Sequence, residues 1–309
     1  MTAPSSQLTR RTILSALASL GAAAPAAARG GFSLGFGGFS TNDFKNIGKV
    51  LKGLSLGEPD EIRMGNTYYG PIVDAQGGAY ANRSIQASIR RFAAPLFETS
   101  TRSNFTWEIT VVDNDEINAW ALPGGKVAVN KGLLRYAANR HELAAVIAHE
   151  MGHVELSHAL SEMKKSSFVD GVSGVSQRAL VTELKGGAGT AAGMGMGALR
   201  GPLTKLVTSG YARKSEFAAD QHIITVFNQT GYDVVQGAAF YQTLLETIPK
   251  KSKGTTSLFA GHPQTKKRLA ALLESAPDAQ YQNAPPPSSD FETLKKPFPT
   301  RRFFNRHQA

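Results

Sequence analysis

The sequence predicts an α+β fold that is mostly helical and contains one small antiparallel sheet. Apolar side chains recur at three- and four-residue spacing in 82–98 and again after Asn139, which is the period of a helix that buries one face. Between these regions, apolar and polar residues alternate over 105–111, which indicates a half-buried strand. Residues 117–130 then have the pattern of a strand, a turn and a second strand. With 41% hydrophobic residues, the 309-residue chain can bury a core of this kind.

Residues 1–28 are typical of a secretory signal peptide. Arg10 and Arg11 precede an Ala-rich apolar stretch, which ends in an A-x-A cleavage pattern at Ala26 and Ala28. The paired arginines resemble a twin-arginine export signal. The alternative for this stretch is an Ala-rich helix that is buried or lies on a membrane surface. The sequence therefore predicts an exported protein of the periplasm or the cell envelope.

The composition excludes several kinds of site. The chain contains no cysteine, so it has no disulfide scaffold, no thiol nucleophile and no cysteine zinc site. Its formal net charge of +10 favours an anionic neighbour such as a membrane surface. Basic and aromatic residues do not combine into a platform for nucleic acid bases, so we expect no nucleic-acid partner.

One main domain is expected, with a further segment on each side of it. Residues 29–57 predict a Gly-rich lead-in and a first helix, and the whole region 42–98 has a helical pattern. The main domain is expected at 58–275. Residues 276–309 are Pro-rich and basic, which predicts an extended or disordered tail that can contact an anionic membrane surface.

Four further helices are predicted in the second half of the main domain. The first begins after Asn139, which is a good N-cap, and Glu142 can reach back to it as in a capping box. The other three follow at 215–229, 234–248 and 264–274. The segment 186–201 is rich in Gly, Ala and Met, and it fits either a tightly packed helix or a loop.

The string HEMGH at 149–153 carries the chemistry of this sequence. On a helix, residues four apart lie on one face, so the imidazoles of His149 and His153 can converge on one metal ion. Glu150 follows the first histidine, where it can hold a metal-bound water and take its proton. The alternative is a helix with two structural histidines. That alternative is weak, because a buried helix rarely carries three ionisable groups in one turn without a partner ion.

A catalytic zinc ion usually has three protein ligands and one open position. His158 lies nine residues after the first histidine of the motif, on about the opposite face of a continuous helix, so we expect it to be structural or to contact a ligand. Glu216 is the better third ligand. Asp220 shares its helix face and can accept a hydrogen bond from a ligand imidazole. Spacing alone leaves Glu162 and Glu183 open as alternatives.

These motifs together resemble one family of zinc metallopeptidases. HExxH followed by a distant ExxxD is similar to the family that contains the CAAX prenyl protease, HtpX, the Oma-type peptidases and periplasmic quality-control peptidases. NAWALPGG at 118–125, followed by GLL at 132–134, resembles the NAF-x-LPGG…GLL segment of that family, with Trp120 in place of the usual Phe. GHPQT at 261–265 with Arg268 is similar to its HPxTxxR segment. The resemblance covers about residues 58–275.

The resemblance implies a zincin-type metallopeptidase domain of the gluzincin class, with HExxH on the active-site helix. It implies one Zn²⁺ ion per chain on His149, His153 and Glu216, with Glu150 as general base and acid and Asp220 behind a ligand imidazole. It also implies that His262 approaches the cleft and stabilises the oxyanion, although a histidine before Pro263 equally fits the start of a helix. The strand 126–130 resembles the edge strand along which such peptidases align an extended substrate.

The predicted activity is therefore that of a zinc-dependent metalloendopeptidase. Its expected substrates are polypeptides of the cell envelope, either misfolded proteins or one specific protein. The alternative from another functional class is an envelope chaperone or binding module whose zinc site is latent or plugged.

Overall fold

The computed structural model of the protein describes residues 57–163, 200–247, 262, 266–276, 285–286 and 289–299. All of them belong to the unit that spans Asn42–Ala309. The predicted signal peptide, the lead-in before Gly57 and most of the segment 186–201 lie outside the described residues.

Two helices precede the sheet, within the region 42–98 that the sequence predicted to be helical. They are α1 (Glu58–Ala75) and α2 (Arg83–Phe97). The helix breaks because Gly77 and Gly78 have φ angles of 126° and 79°, which a helix cannot contain. Asn82 then starts α2 as an N-cap that accepts hydrogen bonds from the N–H groups of Ser84 and Ile85.

The sheet has three strands, and it is mixed rather than antiparallel as predicted. The strands are β1 (Glu108–Val112), β2 (Ala119–Leu122) and β3 (Lys126–Asn130), in the spatial order β1-β3-β2. A turn with positive φ at Gly124 and Gly125 makes β2 and β3 antiparallel. Because this turn folds β3 back between the other two strands, β3 runs parallel to β1.

Eight helices follow the sheet in the described ranges. They are α3 (Lys131–Leu134), α4 (Arg140–Glu155), α5 (His158–Met163), α6 (Arg200–Ser209), α7 (Arg213–Thr230), α8 (Val234–Thr247), α9 (Lys266–Glu274) and α10 (Ser289–Lys295). The cap predicted for α4 is confirmed, because Asn139 Oδ1 accepts from the N–H groups of His141 and Glu142. Glu142 in turn accepts from the Ala138 N–H at 2.8 Å. α7 ends as predicted at Gly231, whose φ is 76°.

Helix α4 lies at the centre of the domain. Every residue from His141 to Val154 is buried, so this helix is enclosed on all sides rather than along one face. It packs against α7, α8 and β2. At Gly152 the two helix backbones come so close that an added Cβ would lie 2.9 Å from Ala219 Cα. This crossing sets the HExxH segment directly opposite the start of α7.

Two hydrophobic cores lie on the two faces of the sheet. One joins α2, α4, α7, α8 and α10 to the sheet face that carries Ala119, Ala121, Val127 and Val129. The other joins α1, α5 and α6 to the face that carries Trp120, Leu122 and Ala128. Successive strand residues thus point to opposite cores.

The tail contains a packed helix, which corrects the prediction that 276–309 is extended or disordered throughout. Phe291, Leu294 and Phe298 of this segment are 5%, 0% and 2% exposed. They recur at helical spacing and pack in the same core as α2. The side chain of Asp290 also pairs with Arg91 at 2.6 Å.

None of the helices in the described ranges combines the length and apolarity that crossing a membrane requires.

Candidate metal centre

Four buried side chains converge between α4 and α7. One ligand atom from each of His149, His153, Glu216 and His262 lies within 4.8 Å of the corresponding atoms of the other three. The Nε2 atoms of His149 and His153 are 3.1 Å apart, and the Glu216 carboxylate lies 3.5 Å and 3.4 Å from them. Four donors at about 2.1 Å from one tetrahedral ion lie about 3.4 Å from one another. The imidazole and carboxylate groups therefore fit a zinc ion in both chemistry and spacing.

Local structure explains how distant residues meet here. His149 and His153 are neighbours on α4 because residues four apart share a helix face. Glu216 lies in the first turn of α7, and the close crossing at Gly152 brings that turn against α4. The structure thus brings together the three residues predicted to bind zinc. Their role as ligands stays a prediction, since it rests on placement alone.

Glu150 lies next to this cluster and is 1% exposed. Within the described part of the chain, neither of its carboxylate oxygens has a hydrogen-bond partner. Its Oε1 lies 3.4 Å from His262 Nε2. Burial raises the pKa of Glu150, which the nearby histidines only partly offset. Because an unpaired buried carboxylate is costly, its retention here favours a role with a group that enters the site.

Asp220 and Arg268 contact residues of the cluster but are not among its converging donors. Asp220 Oδ1 lies 3.1 Å from His149 Nδ1, as expected for a carboxylate that orients a ligand imidazole. Arg268 donates to both oxygens of Asp220 and to Glu216 Oε2, each at 2.7 Å. Arg268 belongs to the HPxTxxR-like segment, but its role was not predicted from the sequence. The available signal was its spacing, because Arg268 and Leu272 are the buried residues of α9 and lie four apart.

These contacts set the protonation of the cluster. Burial opposes the charged form of His149, but Asp220 and Glu216 outweigh it and raise the pKa of His149 to about 9. Burial lowers the pKa of His153 well below its ordinary value. The neighbouring histidines hold the pKa of Glu216 far below the usual range in spite of its burial. The two carboxylates thus favour positive charge at this position, which a proton on His149 or a divalent cation can supply.

His158 contacts a predicted ligand, which confirms that part of the sequence analysis. Its Nδ1 lies 2.9 Å from His153 Nδ1, and it is not one of the four converging donors. The ring of Tyr211 stacks on the face of the His153 ring, with the centroids 4.0 Å apart and the planes 14° from parallel.

His262 reaches the cleft, as the resemblance implied. Its ring nitrogen, however, occupies one of the four positions that could bind a metal ion. Its Nδ1 lies 3.2 Å from His149 Nε2 and 3.2 Å from both oxygens of Glu216. A substrate carbonyl or a water molecule would need this same position at a catalytic metal.

The strand 126–130 cannot be the edge strand that the resemblance implied, because β3 lies between β1 and β2. A central strand has both rows of backbone groups paired. The outer edge of β1 is also occupied, since Val111 pairs with the side-chain amide of Gln86 at 2.8 Å and 3.0 Å.

Among the described residues no strand pairs with the outer edge of β2, which makes this edge the candidate for pairing with another chain. Asn130 N–H bonds to Asn118 C=O, so the alternating pattern turns the backbone groups of Ala119 and Ala121 away from β3. β2 packs against the active-site helix α4. Ala119 and Ala121 are buried, so a partner chain would have to displace what covers this edge.

Comparison with known proteins adds an independent line of evidence. The sequence model of peptidase family M48 matches residues 80–276, which is more than half of the chain. The beta-barrel assembly-enhancing protease of Escherichia coli K12 is 28% identical over 222 residues, covering 70% of this chain and 43% of that protein. The mitochondrial metalloendopeptidase OMA1 of Schizosaccharomyces pombe is 28% identical over 230 residues, covering 71% of this chain and 62% of that protein.

A third relative covers less of this chain. The metalloprotease YcaL of Escherichia coli K12 is 28% identical over 159 residues, which is 52% of this chain and 58% of that protein. The matched region thus spans less than two thirds of each of these three relatives.

Proposed function

The chain belongs to peptidase family M48, and from this premise we propose that it is a zinc-dependent metalloendopeptidase of the cell envelope. The observation that carries the proposal is the convergence of four buried donors, with the carboxylate of Glu150 beside them. The relatives named as metalloproteases support the reaction class.

In this proposal His149, His153 and Glu216 hold one zinc ion. A zinc ion with such ligands acts as a Lewis acid toward water and toward a peptide carbonyl. Asp220 keeps His149 in the tautomer that presents Nε2 to the cluster. Arg268 keeps the Glu216 carboxylate in place and offsets the negative charge of the two acids on α7.

Glu150 acts as the general base and then as the general acid. Its carboxylate accepts a proton from the attacking water and delivers it to the nitrogen of the leaving amine. Burial raises the pKa of this carboxyl, which makes it a better proton acceptor than an exposed glutamate. The absence of hydrogen-bond partners among the described residues leaves both of its oxygens available.

His262 gives this site two states. With Nδ1 of His262 among the donors, the site is latent, because the position that a substrate needs is taken. In this proposal, displacement of His262 frees that position, and the displaced imidazole donates a hydrogen bond to the oxyanion. The latent state is also what the alternative function requires, an envelope chaperone or binding module with a plugged zinc site.

We further propose that substrates are polypeptides that pair with the outer edge of β2. Backbone groups of Ala119 and Ala121 would form a ladder with an extended chain next to α4. The predicted signal peptide supports a periplasmic location, and one Escherichia coli relative is named as a protease that enhances beta-barrel assembly. The basic tail would hold the protein near an anionic membrane surface.

Proteolysis of an unfolded protein by the zinc-loaded full chain tests this function. We expect Glu150→Gln to retain zinc but to lose activity by a factor on the order of 10²–10⁴, because only the proton transfer is removed. A chelator should abolish wild-type cleavage. Cleavage by Glu150→Gln at the wild-type rate would exclude this mechanism. If the zinc-loaded wild type is inactive, any cleavage gained by His262→Ala shows that His262 blocks the site, although it should stay slow because the same change removes the proposed oxyanion donor. A wild type and a His262→Ala variant that both bind unfolded protein without cleaving it support the binding module.

A further inference from the structure

The imidazoles of His149 and His153 in the candidate metal centre contact chemically different partners. A carboxylate, Asp220, faces His149 at 3.1 Å. The atom that faces Nδ1 of His153 is instead the Nδ1 of another imidazole, His158, at 2.9 Å. Both rings of this second pair are buried, with His153 1% and His158 8% exposed.

The direction of the hydrogen bond between the two rings follows from where His153 points. Its Nε2 lies 3.1 Å from His149 Nε2 and 3.4 Å from Glu216, inside the donor cluster. To offer a lone pair there, a neutral His153 must carry its proton on Nδ1. With a metal ion on Nε2, His153 Nδ1–H therefore donates, and Nδ1 of His158 must accept. This requires His158 to be neutral with its own proton on Nε2.

The chain takes an uncommon conformation to place His158 at this position. On a continuous helix His158 would lie on about the opposite face from His149. Ser157 ends the helix with a φ of 50°, the left-handed region that residues with a side chain seldom adopt. Arg102 holds this turn, since its Nη1 donates to Glu155 C=O and to Ser157 Oγ, each at 3.2 Å. Helix α5 then begins at His158 itself.

The face of the His153 ring is held as well. The Tyr211 ring stacks on it with the centroids 4.0 Å apart. With its face against Tyr211 and its edge bonded to His158, the His153 ring can neither tilt nor rotate about Cβ–Cγ without losing a contact.

We propose that His158 is a positioning residue that fixes the tautomer and the orientation of His153 for metal binding. The inference rests on the proposed function, because it assumes that His153 binds the metal. His158 touches neither the metal nor the substrate in this proposal, and it acts only through His153. Outer partners of this kind typically contribute 10- to 100-fold to metal affinity.

Zinc affinity of the full chain, measured by competition with a chelator, tests the proposal. His158→Leu has a similar shape without an acceptor, so we expect zinc binding to weaken about 10- to 100-fold. His158→Asn retains an acceptor at the δ position, and we expect zinc binding within about threefold of wild type. His141→Leu is the matched control. His141 is another buried histidine, lies on the same helix as His153, and accepts a hydrogen bond from Asp233 N–H at 2.9 Å, but it is not among the converging donors.

Each result decides between a positioning role and a merely structural one. Wild-type affinity in folded His158→Leu, or equal weakening in His141→Leu, would overturn the inference. If His158→Leu does not fold, the nitrogen resonances of the zinc-loaded wild type decide. A proton on His153 Nδ1 with an unprotonated His158 Nδ1 supports it, and the reverse assignment overturns it. A wild type that binds no zinc would overturn the proposed function and, with it, this inference.

Discussion

Arg268 links the two acidic side chains of α7 that approach the candidate metal centre. It is 3% exposed, and its three hydrogen bonds to Asp220 and Glu216 use the fork geometry of the guanidinium group. Burial alone would lower the pKa of Arg268, but the two carboxylates raise it above its ordinary value. The guanidinium is therefore charged at any pH at which the protein is folded. Its role is to hold both carboxylates in fixed positions.

We expect Arg268→Gln to destabilise the protein and weaken zinc binding. Removing one partner of a buried ion pair leaves the other charge unpaired, at a cost of about 3–5 kcal/mol. Arg268→Lys should recover only part of the loss, because an ammonium group cannot bridge both acids. Thermal unfolding and zinc stoichiometry measure the two effects. Arg91→Gln is the control, since its ion pair with Asp290 is on the surface and should contribute less than about 1 kcal/mol. Equal stability losses in the two glutamine variants would contradict this role.

Sequence reasoning found some residues of the site and missed others for a physical reason. The pairs His149/His153 and Glu216/Asp220 were identifiable because helix geometry turns a spacing of four into a shared face. The contacts of Arg268 span 48 and 52 residues, and no local pattern encodes such a distance. The position of His262 among the donors likewise depends on how a separate segment returns to α4.

At the scale of elements, the crossing of α4 and α7 determines whether the donors meet. Gly152 permits it, because the nearest atoms of α7 leave no room for a side chain. The glycine is needed here for close approach and not for its backbone angles, since α4 is regular through this point. A methyl group at this position would push α7 away and move Glu216 away from the two histidines.

Gly152→Ala is therefore expected to cost about 1–3 kcal/mol of stability through overpacking. It should also weaken zinc binding, because Glu216 lies on the displaced helix. Gly70→Ala is the matched control, since Gly70 lies within α1 and no residue other than its neighbours in that helix approaches its Cβ position within 4 Å. That change should alter stability by less than about 1 kcal/mol, because the higher helix propensity of Ala is opposed by the restriction that Pro71 puts on the residue before it. Chemical denaturation and chelator competition measure both quantities. Unchanged stability and zinc affinity in Gly152→Ala would show that the crossing can adjust.

The type of most elements could be predicted from the sequence, but strand pairing could not be read in full. The β2–β3 hairpin was predictable because its glycine turn is local. The parallel pairing of β1 with β3 was missed, because it depends on which side of β1 the hairpin occupies. Helix α10 was missed because the Pro-rich, basic composition of the tail concealed three apolar residues at helical spacing, Phe291, Leu294 and Phe298.

The docking of α10 gives a pH dependence with a definite sign. Lys295 donates to Leu134 C=O, and burial lowers its pKa from 10.5 to about 8, with Glu142 opposing the shift. Between these two pH values the unfolded chain binds more protons at this position than the folded chain. The contribution of Lys295 to stability therefore rises from pH 8 to pH 10.5.

Lys295→Met removes this titration and keeps the apolar part of the side chain. We expect the difference in unfolding free energy between wild type and variant to shift in favour of wild type as the pH rises from 8 to 10.5. Urea denaturation at four or five pH values measures this difference in unfolding free energy. The contributions of other titrating groups cancel, because both proteins contain them. Lys296→Met is the control for removing a positive charge from this segment, because Lys296 is exposed beside it. A difference between wild type and Lys295→Met that stays constant over this pH range would contradict the lowered pKa.

For the whole molecule, a bound metal ion would connect parts of the chain that are distant in sequence. The converging donors come from α4, from α7 and from the segment of His262, and all four are buried. Without the ion, the nearby carboxylates depend on Arg268 and on a proton at His149 for charge compensation. A ligand that binds only the folded chain adds to its stability in proportion to the logarithm of its concentration.

Metal removal should therefore lower the melting temperature of the wild type. At free zinc about 100-fold above the dissociation constant, the stabilisation is about 2.7 kcal/mol, which corresponds to an increase in Tm on the order of 5–10 °C for a domain of this size. Scanning calorimetry with chelator, and then with zinc restored, measures this change. Glu216→Ala is expected to lose the zinc-dependent increase in Tm, because the alanine side chain offers no atom that can bind the metal. If this variant gained as much from zinc as the wild type, the stabilising ion would be bound elsewhere and α4 and α7 would not share it.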